Sequence, residues 1–193
     1  IGGSREGYTY IGKFLAANGM AVLHLQHAGS DRNLWFGNPL TMVSRLQSAA
    51  KESEAIDRAK DVSFALDQVL ADPALAQRID PSRIAAAGHS YGEGSPQSIL
   101  GAISIPTLHI TATGDDIRIP GYYSGAQDRV AVYEAVGAPR ASKALAVFKE
   151  GSHSMFTDRL GTGGSELNPK VKIATRGVAL AFLQTRFAGQ GAS

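Results

Sequence analysis

Apolar positions along the chain predict an alternation of helices and strands. Apolar residues recur at helical spacing in four segments, at 8–15, 59–70, 130–136 and 178–183. Short apolar runs predict buried strands at 21–25, 84–87, 107–111 and 145–148. Such an alternation is typical of a parallel sheet with helices on both faces. We therefore expect one α/β domain over residues 1–193.

A serine motif follows the second predicted strand. Residues 88–92 read Gly-His-Ser-Tyr-Gly and so form G-x-S-x-G directly after the run 84–87. Glycines on both sides of a strand-ending serine allow a tight backbone turn that exposes the hydroxyl, the geometry of a nucleophile elbow. Because a motif with three fixed positions recurs by chance, its weight depends on whether the chain also supplies a base and an acid.

Both partners of a catalytic serine follow predicted strands. Asp115 and Asp116 come after the run 107–111, and His153 comes after 145–148. The ends of parallel strands meet at one edge of a sheet, and the order Ser, acid, His is that of hydrolases built in this way. The sequence therefore predicts a catalytic triad, in which Ser90 is the nucleophile, His153 accepts its proton and an aspartate orients the histidine.

The spacing leaves the identity of the acid open. Asp115 and Asp116 are adjacent, and consecutive side chains leaving a strand point in different directions, so only one of them can face His153. The other is expected to be a solvated loop carboxylate.

Four blocks of the chain resemble a known family. They are Gly-Gly-Ser-Arg-Glu-Gly-Tyr at 2–8, His-Leu-Gln-His-Ala-Gly-Ser-Asp at 24–31, the serine motif at 88–92 and Pro-Thr-Leu-His-Ile-Thr at 106–111. Together they are similar to the bacterial predicted dienelactone hydrolases, a group of α/β-hydrolases related to plasma-type platelet-activating-factor acetylhydrolases and to microbial ester and polyester hydrolases. The resemblance extends from residue 1 to about the last helix. It implies an α/β-hydrolase fold and a serine carboxylic-ester hydrolase that forms an acyl-enzyme and uses no cofactor.

The resemblance also implies further parts of the site. Family members carry a Thr-Gly-Thr-x-Asp stretch, and aligning residues 111–115 with it favours Asp115 as the acid. Their oxyanion hole includes a His-Gly-x-Gly pattern whose x position falls on Ile1, and the backbone N–H of Tyr91 would supply the other donor. One such donor is worth about 3 to 4 kcal/mol. Because the preceding His-Gly is absent, we expect that residue 1 is not the natural start and that N-terminal strands are missing.

The interval after the serine is too short for the elements that the fold requires. A helix and a further strand should precede the acid-bearing strand, yet only 25 positions separate Ser90 from Asp115. The glycines and proline at 92–96 would stop a helix within a turn. We therefore expect a helix and a strand to be missing near 92–95, with a spatial break or an irregular path there.

Composition and charge limit the kinds of binding partner that we expect. The formal net charge is +2 and the basic residues are interspersed, so nucleic acid is not an expected partner. No apolar run approaches the roughly 18 residues of a transmembrane helix. The chain has no cysteine, which excludes disulfides and cysteine-ligated metal. These features leave open the oligomeric state and the compartment, whether cytoplasmic, secreted or periplasmic.

The remaining histidines and two aromatic residues have competing interpretations. His24, His27 and His89 lack an acidic cluster around them, so we interpret them as hydrogen-bonded structural histidines and expect no metal. Trp35 and Phe36 lie in the polar loop 31–39, where exposed aromatic residues after a strand often line a pocket. We predict that this pair contacts substrate; anchoring of its own loop is the alternative.

Two other functions use the same pattern of residues. An amidase or peptidase is the first alternative, because the triad alone does not choose the leaving group. A non-catalytic binding protein with this fold is the second, and the complete set of Ser, Asp and His disfavours it. The expected substrate is a small-molecule or polymeric ester whose acyl and alcohol parts the sequence leaves open.

Overall fold

Three parallel strands form the main sheet of the protein. The structure is a computed structural model that describes residues 2–89, 97–120, 122–158 and 167–188. The strands are β1 (Ala86–His89), β2 (Thr107–Gly114) and β5 (Lys143–Ser152), in the spatial order β1-β2-β5. A small antiparallel hairpin of β3 (Ile117–Ile119) and β4 (Tyr122–Ser124) follows the central strand. The predicted mixed α/β architecture with parallel strands is thus confirmed.

Seven α-helices are described alongside these strands. They are α1 (Thr9–Ala17), α2 (Met42–Ala49), α3 (Glu52–Ala71), α4 (Pro73–Ala76), α5 (Gln97–Ala102), α6 (Ala126–Ala135) and α7 (Leu167–Phe187). Short 3-10 helices lie at Arg5–Tyr8, Arg32–Trp35, Pro39–Thr41, Arg140–Ser142 and His153–Phe156. The four segments with helical spacing coincide with α1, α3, α6 and α7, so those predictions are confirmed. None of the described helices has the length and apolar content needed to cross a membrane.

Helices cover both faces of the central strand. Side chains alternate along a strand, and Leu108, Ile110 and Ala112 point to the same face of β2. They share a buried core with Leu15 of α1 and with residues of α7. On the other face α6 packs against β2, where the ring of its Tyr133 meets His109 with centroids 5.6 Å apart.

Three of the four predicted strands form, with shifted or extended bounds. The run at 84–87 predicts the strand before the serine, but β1 begins at Ala86, two residues later. The strands β2 and β5 extend beyond the predicted runs 107–111 and 145–148. The prediction of a strand at 21–25 is wrong. This segment has no strand assignment, and Leu23 is 55% exposed. A strand needs a hydrogen-bonding neighbour, and in the described part of the chain none lies beside this run.

The central strand pairs directly with the strand that leads to the serine. Ala86 lies opposite Thr107 and His89 opposite Ile110, so no described strand intervenes between β1 and β2. Of the interval between them, the described part includes the six-residue helix α5. The predicted break near 92–95 lies outside the described residues.

Candidate active site

The carboxyl ends of β2 and β5 bring an aspartate and a histidine together. The strands are in register up to Ala112 and Phe148, and they pair again at Gly114 and Ser152. Between these pairs β2 contributes one residue and β5 contributes three, so β5 bulges. The residue that follows each member of the second pair is a candidate site residue: Asp115 comes directly after β2, and His153 comes directly after β5.

The bulge in β5 has a defined backbone conformation. Glu150 and Gly151 have φ values of 62° and 96°, in the left-handed region that favours glycine. The N–H of Glu150 donates to Oγ1 of Thr113 at 2.8 Å, which ties the bulge to β2. The bulge therefore fixes the point at which the chain turns into the 3-10 helix that begins with His153.

Asp115 is a wholly buried carboxylate with partners on both oxygens. Nδ1 of His153 is hydrogen-bonded to Oδ1, and the Thr111 hydroxyl donates to Oδ2 at 2.8 Å. The guanidinium of Arg129 is itself buried, with Nη2 3.7 Å from Oδ1. Nε2 of His89 lies 3.5 Å from Oδ2. Buried charges persist in proteins when they are paired and hydrogen-bonded, as here.

These contacts keep Asp115 ionised. Burial by itself would raise the pKa of Asp115, but the hydrogen bonds and charges of His153 and His89 outweigh it and hold that pKa well below its usual range. An ionised carboxylate only accepts hydrogen bonds, so Nδ1 of His153 must be the donor. In neutral His153 this tautomer places the ring lone pair on Nε2, the atom that can accept a proton.

His89, the residue before Ser90, lies within this cluster. Its side chain is 4% exposed, and its ring stacks on that of His153 with centroids 4.5 Å apart and planes at 29°. Its Nδ1 is 2.8 Å from the hydroxyl of Tyr8. Burial is the main cause that lowers the pKa of His89 to about 4, so the ring is neutral at neutral pH.

Asp116 makes a different set of contacts from Asp115. Its carboxylate is exposed and pairs with Arg118 at 3.0 Å and with the hydroxyl of Tyr123 at 3.2 Å, both in the β3-β4 hairpin. Of the two neighbouring carboxylates, Asp115 is the one hydrogen-bonded to His153. The two side chains leave the end of β2 in different directions, as expected for consecutive residues.

The other two histidines of the sequence pattern are held apart from this cluster. His24 lies against Gly12 of α1, and His27 pairs with Asp61 of α3 at 2.8 Å. Burial lowers the pKa of both rings. His24 and His27 therefore do not form a metal-binding site together with His89.

Potential metal-ligating atoms of His89, Asp115 and His153 lie within 4.8 Å of one another. This spacing is compatible with a metal site. Two atoms bound tetrahedrally to one zinc ion at about 2.0 Å are separated by roughly 3.3 Å. The His153 and Asp115 atoms are closer than that, in direct hydrogen-bond contact. The arrangement therefore fits a shared proton.

Trp35 packs over the start of the described chain. Its ring lies against Gly2, and its Nε1 donates to the carbonyl oxygen of Gly2 at 2.9 Å. Phe36 is 67% exposed, and Trp35 is partly exposed. The tryptophan thus anchors its loop to Gly2, while the exposed phenylalanine ring remains available for contact. The predicted residues Ser90, Tyr91 and Ile1 lie outside the described residues.

No protein-family model matches the chain, and a search of curated proteins finds no match either. The functional conclusion therefore depends on the geometry of the site and on the sequence pattern.

Sequence reasoning missed three residues of the cluster. Thr111 precedes Asp115 by four positions on β2, and the two-residue period of a strand would have put both on one face. Arg129 is a buried cation on α6, a helix otherwise predicted from apolar spacing. The helical spacing predicts Tyr8 as an apolar position of the first helix. Nothing local in the sequence indicates that its hydroxyl reaches His89.

Proposed function

We propose that this protein is a serine carboxylic-ester hydrolase with an α/β-hydrolase fold, similar to the dienelactone hydrolases, in which Ser90, His153 and Asp115 form the catalytic triad. The observation that carries the proposal is the hydrogen bond from His153 to the wholly buried carboxylate of Asp115, at the carboxyl ends of two adjacent parallel strands. The third strand of the same sheet leads directly into the G-x-S-x-G motif.

The position of His89 supports the inclusion of Ser90. The His89 ring contacts the His153 ring, and residue 90 is the next residue along the chain. Chain connectivity to a residue of the cluster therefore supports Ser90 as the nucleophile, since nucleophilic catalysis by serine requires a neighbouring base.

The chemistry follows from the tautomer of His153. Nε2 accepts the proton of the Ser90 hydroxyl while Oγ attacks the ester carbonyl carbon, which gives a tetrahedral oxyanion. The imidazolium returns that proton to the alkoxy oxygen as the C–O bond breaks, so the alcohol leaves and an acyl-serine remains. Water then attacks the acyl-serine with the same base, releasing the carboxylic acid and restoring Ser90. Asp115 stays ionised throughout and stabilises the imidazolium.

The oxyanion would be bound by backbone N–H groups of Tyr91 and Ile1. The N–H of Gly2 is not such a donor, because it donates to the carbonyl of Ser30 at 2.8 Å. Trp35 and Phe36, both exposed, would contact the substrate.

Active-site labelling and ester turnover test the proposal. A phosphonate ester should label Ser90 of the full chain, and p-nitrophenyl esters should be hydrolysed while the matching anilides are not, whereas an amidase would cleave both. Ser90→Ala should lose at least about three orders of magnitude in turnover. Ser98→Ala, which changes an exposed serine of α5, is the matched control and should retain activity. Absence of labelling, or activity in Ser90→Ala, would show that the proposal is wrong.

A further inference from the structure

His89 occupies a position in the site that the triad alone does not explain. Its ring is buried between the ring of His153, at 4.5 Å, and that of Phe156, at 4.6 Å. Nδ1 faces the hydroxyl of Tyr8, and Nε2 faces the carboxylate of Asp115. Nδ1 is thus within hydrogen-bond distance of Tyr8, whereas Nε2 is buried 3.5 Å from the carboxylate, at ion-pair distance and without a hydrogen bond in the described part of the chain.

The surroundings of His89 select one tautomer. A neutral imidazole has one N–H and one lone pair, and an ionised carboxylate can only accept. The N–H therefore belongs on Nε2, towards Asp115, and the lone pair belongs on Nδ1, where it accepts the O–H of Tyr8. The carboxylate is the group that selects this tautomer, because the hydroxyl of Tyr8 can either donate or accept.

The neutral state of His89 matters because of its contact with His153. When His153 takes the proton of the nucleophile it becomes a cation, and a second cation stacked on it would oppose that step. The charged or titratable groups that face His89 are Asp115, His153, Tyr8 and Arg129. A hydrogen bond donated by Tyr8 to the lone pair opposes protonation of His89, since it stabilises the neutral form.

We propose that His89 is a positioning residue of the hydrolase site: as a neutral imidazole it directs its Nε2–H towards the carboxylate that is hydrogen-bonded to His153, while Tyr8 holds the ring in place by donating to Nδ1. Oδ1 of the carboxylate is hydrogen-bonded to His153, and Oδ2 accepts from Thr111 with Nε2 of His89 3.5 Å away. The stacked ring also limits the rotation of His153. This inference rests on the proposed function.

Nitrogen NMR of the imidazoles tests the hydrogen-bonded chain without any reference to activity. At neutral pH the His89 signals, assigned by their loss in His89→Gln, should show a protonated Nε2 and a bare Nδ1. Tyr8→Phe should leave Nε2 protonated but make the ring easier to protonate, because the lone pair on Nδ1 loses its donor. A protonated Nδ1, or a charged His89 ring at neutral pH, would overturn the inference.

Kinetics per active site, titrated with the phosphonate, test the positioning role. Tyr8→Phe and His89→Leu should lower kcat on the order of 10- to 100-fold with KM nearly unchanged, the cost of misplacing a catalytic group by about 1 Å. In Tyr8→Phe the acidic limb of the rate profile should move to higher pH. His89→Gln, which retains an amide N–H, should recover part of the kcat lost in His89→Leu.

Tyr10→Phe provides the matched control. Tyr10 lies in α1 and donates to the carbonyl of Phe156 at 3.0 Å, so the variant loses a similar hydrogen bond without touching His89. Its acidic limb should not move. Normal kcat and pH profile per titrated site in Tyr8→Phe and His89→Leu would overturn the inference while leaving the proposed function intact. Failure of the wild-type chain to react with the phosphonate would instead refute the proposed function.

Discussion

Gly114 approaches Gly151 so closely that an ideal Cβ at position 114 would lie 2.6 Å from the carbonyl oxygen of Gly151. The neighbour is backbone and cannot rotate away. Since these residues immediately precede Asp115 on one strand and the Ser152-His153 pair on the other, the close approach sets the distance between the proposed acid and base.

Gly114→Ala should therefore destabilise the protein and separate Asp115 from His153. We expect a loss of about 1 to 3 kcal/mol in the free energy of unfolding, the usual cost of overpacking, together with reduced turnover. Urea unfolding and ester hydrolysis measure the two effects. Gly177→Ala is the control: this exposed glycine of α7 has open space around it, and alanine there should stabilise by about 0.5 to 1 kcal/mol. Equal effects of the two substitutions would contradict the argument.

Asp115 and Asp116 should differ sharply when each is changed to asparagine. Asp115→Asn keeps the shape but favours the wrong tautomer of His153, and the loss in kcat should be on the order of 10⁴, as in the best-studied serine triad. Asp116→Asn disturbs an exposed network with Arg118 and Tyr123 and should retain most activity. Turnover of a p-nitrophenyl ester measures both. The reverse order would assign the acid to Asp116.

Thr111→Val should destabilise the protein through Asp115. The valine has nearly the same shape but cannot donate to the buried carboxylate, and a hydrogen bond to a charged group contributes about 1.5 to 3 kcal/mol. Urea unfolding at neutral pH measures the loss. Thr185→Val, an exposed position on α7, should change stability by no more than about 0.5 kcal/mol. A Thr111 variant as stable as this control would mean that the hydroxyl contributes nothing.

Stability should fall as the pH is lowered from 6.5 towards 4. The pKa of His89 is lowered from 6.5 to about 4 mainly by burial, so in this window the unfolded chain binds a proton that the folded protein does not. Each such proton contributes a slope of roughly 1.4 kcal/mol per pH unit. His109, whose pKa burial also lowers to about 4, acts in the same direction, and Asp115 adds to the loss only below its unfolded pKa of 3.8.

Urea unfolding between pH 7.5 and 4.5 measures this dependence. His89→Gln should have a shallower slope, smaller by about one proton. Constant stability over the window in the wild-type chain would show that the histidines are not kept neutral by burial.

The sequence was sufficient to place Asp115 and His153 because both follow apolar runs that end at the same edge of a parallel sheet. It was insufficient at 21–25, since an apolar run does not reveal whether a neighbouring strand exists. The bounds of β1 shifted because alanine and glycine mark strand ends weakly.

The residues around the site were harder to predict than Asp115 and His153 themselves. Tyr8 and His89 are 81 positions apart, and their contact depends on α1 packing against the sheet. The approach of His89 to Asp115 depends on the direct pairing of β1 with β2, whereas the fold expected from the resemblance has a further strand before the acid-bearing one. A local sequence pattern shows neither how a helix packs against the sheet nor which strands pair.

The bulge in β5 also bears on the order of events during folding. The Asp115 and His153 contact spans 38 positions and forms only when β2 and β5 are aligned past the bulge. Parallel strands joined by a crossover pair slowly, because the chain between them must be ordered first. Catalytic competence should therefore appear after most of the helical signal, as one of the last steps on the way to the native state.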